Sequence, residues 1–268
     1  TIVKRIRQTK RAALAARPDV IVAIDSPEFT HNVAKRVRKA DPSIPIVDYV
    51  SPSVWAWRPG RARKMAAYVD HLLAILPFEP EVHRRLAGPP CSYVGHPLSD
   101  RLDVLRPAPG ERAELGAAGV RPTLLVLPGS RHGEVTRLMG PIGETLKLLV
   151  ARGLDFELLL PAVSHLRAEI EARAADWPVR PTIVDGEEAK FAASRKANAA
   201  LAASGTVTLE LALAGVPMTV IYKLDPIARR LKWLGSVASM VLPNLILGEN
   251  VIPEFLDEAV EPAALADT

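Results

Sequence analysis

The chain has 268 residues, 49% hydrophobic and 24% charged, with a net charge of +4. That is material for one large domain or two ordinary ones with real cores, and the balance is that of a globular protein rather than a disordered or fibrous one. No apolar run approaches the roughly 20 residues a membrane-spanning helix needs, so no transmembrane segment is expected.

The charge is unevenly spread: residues 1–106 carry 18 Lys+Arg against 10 Asp+Glu, and residues 107–268 carry 16 against 20. A basic half joined to an acidic one suggests that the first half meets something anionic: nucleic acid, a membrane surface or a phosphorylated substrate. The single cysteine, Cys91, excludes an internal disulfide, fits a reducing compartment and reads as a small half-buried side chain. The chain opens on Thr1 without a signal pattern and is expected to begin inside a longer protein.

In chain order, apolar runs predict strands at Val20–Ile24, Ile44–Val50, His71–Leu76 and Ser92–Val94. Further runs follow at Thr123–Leu127, Phe156–Leu160, Thr182–Val184, Ala199–Ala203 and Met218–Tyr222. Amphipathic stretches between them predict helices at Asn32–Ala40, Gly60–Val69, Glu134–Arg152, Leu166–Ala175, Thr206–Ala214 and Pro226–Ser239. Unalternated apolar strands separated by helices imply parallel sheets covered on both faces. The segment Arg106–Gly110 interrupts the rhythm where the charge balance changes. The reading is therefore α/β, two Rossmann-like doubly wound domains at residues 1–106 and 107–268. Ligands are expected beyond the C-terminal ends of the strands.

Four clusters fall at such ends. Asp25 follows the first predicted strand, and Pro27 is expected to keep the next helix from starting early. Asp25 suits a general base, and equally a helix cap. Ser51-Pro52-Ser53-Val54-Trp55-Ala56-Trp57-Arg58 puts two indoles in a loop beside Arg58, Arg61, Arg63 and Lys64. Trp55 and Trp57 suit an acceptor or acyl pocket with basic groups for a phosphate, or a plug in an interface. In Leu127-Pro128-Gly129-Ser130-Arg131-His132-Gly133-Glu134, Gly129 and Gly133 are expected to let a ligand approach the backbone, and Arg131 to neutralise a departing diphosphate. The loop lacks a Walker ending, so ATP hydrolysis is not indicated. In the fourth cluster, Ser204, Gly205 and Thr206 offer an anion site at a helix start with Glu210 one turn along, or an ordinary cap with a surface Glu. His96, in Gly95-His96-Pro97, reads as a substrate contact or a structural turn. No histidine or carboxylate spacing suits a metal, and none is expected.

These clusters, together with Leu76-Pro77-Phe78-Glu79 and Leu242-Pro243-Asn244-Leu245, resemble in this order the lipid-A-disaccharide synthases, glycosyltransferases of the two-Rossmann-domain GT-B class. The resemblance covers nearly the whole chain, and the Ser-Pro-Ser-Val-Trp-Ala-Trp stretch carries it most specifically. It implies transfer of 2,3-diacylglucosamine from UDP-2,3-diacylglucosamine to 2,3-diacylglucosamine 1-phosphate, forming a β-1,6 disaccharide and UDP. It implies Asp25 as base on the acceptor hydroxyl and Arg131 at the departing diphosphate. Ser130, Ser204, Gly205, Thr206 and Asn244 would hold UDP and Glu210 its ribose, while Trp55, Trp57, Arg58 and His96 would form the acceptor and acyl pocket. It also implies a peripheral site on the cytoplasmic face of an anionic inner membrane, reached through the basic stretch Ile2–Arg7, and it is compatible with a homodimer. The family's opening strand and Gly-rich loop are missing, and its C-terminal tail looks short after Asp267-Thr268. The first domain is thus expected to lack its leading strands and to expose apolar sheet, leaving the piece alone inactive and poorly soluble. Another GT-B enzyme of UDP-N-acetylglucosamine, transferase or 2-epimerase, explains the donor-side clusters equally well but not the Trp loop. Nucleic-acid binding would require aromatics interleaved with Lys and Arg on one strand face, which the sequence does not show.

Overall fold

The structure is a computed structural model that describes residues 1–115, 119–225 and 239–268. The predicted helix Pro226–Ser239 lies, but for its last residue, outside the described residues. The chain forms two compact units, dividing between Ser99 and Asp100.

The first unit runs α1 (Ile2–Ala15), β1 (Ile21–Ile24), α2 (Pro27–Ala40), β2 (Ile46–Tyr49), α3 (Gly60–Met65), β3 (His71–Ala74), α4 (Glu79–Arg85) and β4 (Cys91–Tyr93). Its four strands are parallel in the order β1-β2-β3-β4, with Ile21 opposite Ile46, Val47 opposite His71 and Leu72 opposite Cys91. Period-two side chains send Ile46 and Leu72 into a core with Ile6, Val33, Val37, Met65 and Tyr68. Pro27 opens α2 rather than delaying it: its fixed φ suits the first turn, where its missing N–H goes unused. On β1, which among the described residues pairs only with β2, Val22 and Ile24 are exposed, so this edge presents an apolar face.

The second unit begins earlier than Arg106. Helix α5 (Leu102–Leu105) belongs to it because Arg195 donates 2.6 Å to the Val104 carbonyl and Leu105 is fully buried. There follow β5 (Thr123–Leu127), α6 (His132–Ala151), β6 (Glu157–Ala162), α7 (Arg167–Ala174), β7 (Thr182–Asp185), α8 (Glu187–Lys196), β8 (Ala199–Ala203), α9 (Val207–Leu213), β9 (Met218–Tyr222), α10 (Leu242–Leu247), β10 (Glu254–Leu256) and α11 (Pro262–Asp267). All six strands are parallel, in the order β10-β9-β8-β5-β6-β7. The chain winds outward from β5 through β6 and β7, then returns to β8 on the other side of β5. That reversal makes a topological switch point between β5 and β8. Val126, Leu138, Ile142 and Leu160 fill the core on one face, and Leu125, Ala202, Leu211 and Val220 that on the other. Strands buried on both faces explain the uninterrupted apolar runs of this half.

Candidate functional site

In the second unit a cleft of about 710 Å³ opens at the switch point. Its walls come from the loops after β5, β6, β7 and β8, including Gly129–Arg131, Ala162–His165, Asp185–Glu187 and Ser204 with Thr206. The sheet therefore brings Ser130, Arg131, Ser204, Thr206 and Glu210 together, although up to 80 residues of sequence separate them.

The turn into α6 is organised by Glu134, which the sequence reading passed over. Its Oε2 accepts from the backbone N–H of Ser130 (3.0 Å) and of Arg131 (3.2 Å), and its Oε1 from Arg131 Nη1 (2.6 Å). A Glu at the third helical position reaching back to the cap is half of a capping box, and that spacing was its signal. The glycines of this turn make room for the protein's own side chains, and Gly129 also lines the cleft. A Cβ on Gly129 (φ 106) would meet Glu134 Cβ at 2.6 Å, and one on Gly133 would meet the Arg137 guanidinium at 3.0 Å. The Arg131 side chain is 78% exposed, and its bond to Glu134 strengthens its hold on its proton, so it stands in the cleft as a fixed cation.

At the β8–α9 turn the open glycine is Gly205: its φ of 142 favours glycine, and nothing lies within 4 Å of where a Cβ would project. Gly205 and Thr206 precede the first turn of α9, in which the Thr208 and Leu209 N–H groups donate to the Gly205 and Thr206 carbonyls at 3.1 and 3.0 Å. Ser204 lines the cleft, but its hydroxyl donates to the Met240 carbonyl (2.6 Å) and its N–H to Ile221 (3.2 Å), which fixes the turn instead of offering donors to an anion. Glu210 lies at the cleft with Lys190 Nζ 2.6 Å from its Oε2, so Lys190 of α8 is a further site residue that sequence did not single out. Asn244 is not brought to the cleft. It is 2% exposed, and its amide clamps a loop, donating to the Ile252 carbonyl and accepting from the Ile252 N–H, both at 2.9 Å.

In the first unit, Asp25 ends β1 with its N–H on the Tyr49 carbonyl (3.0 Å) and is exposed. The cap reading fails: Ser26 is the N-cap of α2, and no side-chain cap bond is made. Asp25 and Ser26 both have φ 47, a left-handed pair of non-glycine residues held by Thr30 Oγ1, which donates to the Asp25 carbonyl (2.7 Å). Such strain persists where surrounding structure over-determines it, commonly at functional sites. Beneath it, Asp48 is fully buried with His31 Nε2 at 2.9 Å, and Tyr68 Oη meets His31 Nδ1 at 3.1 Å. A consistent proton arrangement has Tyr68 donating to Nδ1 and His31 donating to Asp48. Burial pushes the Asp48 carboxyl upward, against the pull of His31 and with the added charge of Asp25.

The two indoles of the Trp loop part company. Trp55 turns inward, edge-on to Phe78 (5.5 Å, 87°), beside a small cluster of Val54, Ala62 and Val82, so it packs the unit rather than lining an open pocket. Trp57 is 51% exposed with the Arg58 guanidinium 4.1 Å over its ring, a stacked pair accessible to a ligand. Arg61, which the sequence placed among phosphate contacts, pairs with Glu28. His96 organises a turn: its Nδ1 accepts from Leu98 N–H (3.1 Å), and its carbonyl accepts from Ser99 N–H (2.9 Å). Among the described residues, no group of three or more His, Cys, Asp and Glu could hold a metal ion. No helix there is long and apolar enough to cross a membrane.

Two parallel α/β units, one with a cleft at its switch point, are the architecture of the GT-B class. MurG of Acinetobacter baumannii superposes with a TM-score of 0.60 at 14% identity, covering 99% of this chain and 67% of that one. UDP-GlcNAc 2-epimerase of Neisseria meningitidis bound to UDP-GlcNAc gives 0.60 at 13% identity, over 92% of this chain and 71% of that one. At such identities the likeness is one of fold. The family described as lipid-A-disaccharide synthetase matches residues 1–268. Lipid-A-disaccharide synthases of Rhodopseudomonas palustris (strain HaA2) and Rhodospirillum centenum are 57% and 41% identical over 99% of this chain, which spans 67% and 66% of their lengths. The chain belongs to the lipid-A-disaccharide synthase family, and so to the glycosyltransferases.

Proposed function

We propose that the protein transfers 2,3-diacylglucosamine from UDP-2,3-diacylglucosamine to the 6-hydroxyl of 2,3-diacylglucosamine 1-phosphate, forming the β-1,6 disaccharide and UDP. The observation that carries the donor half is the cleft between the β5 and β8 loops, which the exposed Arg131 cation and Thr206 line together with Glu210. A diphosphate suits the first two, and ribose hydroxyls suit the carboxylate, with Lys190 holding it in place. The similar fold of a UDP-GlcNAc 2-epimerase bound to UDP-GlcNAc supports the same class of donor.

For inversion, the acceptor oxygen bonds to C1 of the donor sugar as the bond from C1 to the diphosphate oxygen breaks. The acceptor proton passes to Asp25, and the electron pair leaves with UDP. Arg131 then meets the charge that grows on the leaving oxygen, a role in which a fixed cation lowers the barrier without rearranging. We assign no metal to this step. Trp57 and Arg58 are the acceptor contacts, an aromatic face for acyl chain or sugar and a cation for the 1-phosphate. The protein works at the cytoplasmic face of an anionic membrane. Helix α1 supports this: it buries only Ile6, exposes Ile2 and Val3, and carries Lys4, Arg5, Arg7, Lys10 and Arg11.

The test is transfer to labelled acceptor by the intact protein and its Asp25→Asn form. The variant is expected to bind UDP normally while turnover falls by about 10² to 10⁴. Undiminished turnover would remove Asp25 from the chemistry.

A further inference from the structure

We infer that Glu79 and His83, one turn apart on α4, are positioning residues that hold the loop Ser51–Arg58 in its acceptor-binding shape. The inference rests on the assignment of Trp57 and Arg58 to the acceptor. Both ends of the loop are strained. Val50, β-branched, has φ 75 and Arg58 has φ 53, in a region that disfavours side chains of any bulk. A loop held at two such points relaxes unless something fixes it between them.

Two buried polar contacts do so, and both come from the same short helix. At the start of the loop, Ser51 Oγ lies 2.8 Å from His83 Nε2. Near its end, the Trp55 indole N–H donates to Glu79 Oε1 (3.3 Å), while Glu79 Oε2 accepts from the Leu76 N–H (3.0 Å) and ties the carboxylate to the end of β3. Ser51, Glu79 and His83 are 7%, 2% and 0% exposed, so substrate cannot reach them and water does not compete for these bonds. With Trp55 fixed, Trp57 and Arg58 two and three residues on are directed outward as a stacked pair. Gly88 completes the arrangement. A Cβ there would come 2.5 Å from His83 Nδ1, so the turn after α4 leaves room for the His83 ring only while residue 88 is glycine.

The experiment uses the intact protein and four forms: Glu79→Ala, Glu79→Gln, His83→Ala and Gly88→Ala, the last displacing His83 without removing it. KM for each substrate and kcat are measured, together with the rate of chymotryptic cleavage after Trp57. Glu79→Ala, His83→Ala and Gly88→Ala are expected to raise the acceptor KM about tenfold, the worth of one strong hydrogen bond. The UDP-sugar KM should hold within about twofold, and Glu79→Gln, which keeps one acceptor oxygen but sets an NH2 against the other N–H donor, should recover only part of the loss. Cleavage after Trp57 should accelerate in the same three forms. Acceptor and donor KM rising together, or an unchanged acceptor KM beside a lowered Tm, would overturn the inference and leave the glycosyltransferase reading intact. If the unaltered protein used neither substrate, that reading would fail instead, and the cleavage rates alone would decide whether α4 holds the loop.

Discussion

The carboxylate of Glu134 takes the Arg131 guanidinium at 2.6 Å on one oxygen and the N–H groups of Ser130 and Arg131 on the other. An amide pair at a helix start is an anion site, and here the protein fills it with its own anion. Under the proposed function a donor diphosphate would meet the outward side of Arg131, whose position Glu134 sets.

Glu134→Ala is expected to remove the acceptor of three hydrogen bonds from a site only 8% exposed. Loss of a buried cap of this kind should destabilise the protein by about 1–3 kcal/mol in urea unfolding, with UDP affinity falling alongside as Arg131 loses its anchor. UDP affinity that held while stability fell would separate the cap from the cleft.

Glu79 gives a pH signature. Burial raises its carboxyl from 4.5 to about 7, against opposing hydrogen bonds led by the Leu76 N–H. The folded state thus holds this proton more tightly than the unfolded state. The stabilisation is complete below pH about 4.5 and is lost as pH rises through about 7, a difference of about 3 kcal/mol. Burial of Asp48 acts in the same direction. Burial lowers the His83 pKa and opposes this trend below pH about 6.5, so the fall in Tm should show between about pH 6.5 and 8, and Glu79→Gln should flatten it. A variant retaining the full slope would place the titration elsewhere.

Asn244→Ala is expected to lower stability by about 1–3 kcal/mol, because it orphans the N–H and carbonyl of Ile252, while leaving UDP affinity unchanged. A loss of UDP affinity with little change in the urea midpoint would return Asn244 to the nucleotide site.

Much of the second unit was legible because its strands are covered on both faces. Thr123–Leu127, Ala199–Ala203 and Met218–Tyr222 read as unbroken apolar runs and are strands over those spans. Strand ends then located Asp25, Arg131 and the Ser204–Thr206 turn. Helix α4 was not legible, since its seven residues bury Glu79 and His83 where periodicity would call for apolar side chains. Strand β10 is three residues long, too short for a pattern. The inward turn of Trp55, the Lys190–Glu210 pair and the Ser204–Met240 bond join residues from 20 to 36 positions apart, and only the fold brings them together. The motif around Asn244 gave no direction for its amide, which the fold turns to Ile252.

The central claim is that the switch-point cleft grips the diphosphate of a uridine nucleotide, and a crystal structure of the intact protein with UDP tests it most directly. The expected result has diphosphate oxygens on Arg131 and the Gly205–Thr206 backbone, with the ribose hydroxyls on Glu210. UDP bound away from the β5 and β8 loops, with Arg131 touching only Glu134, would contradict it.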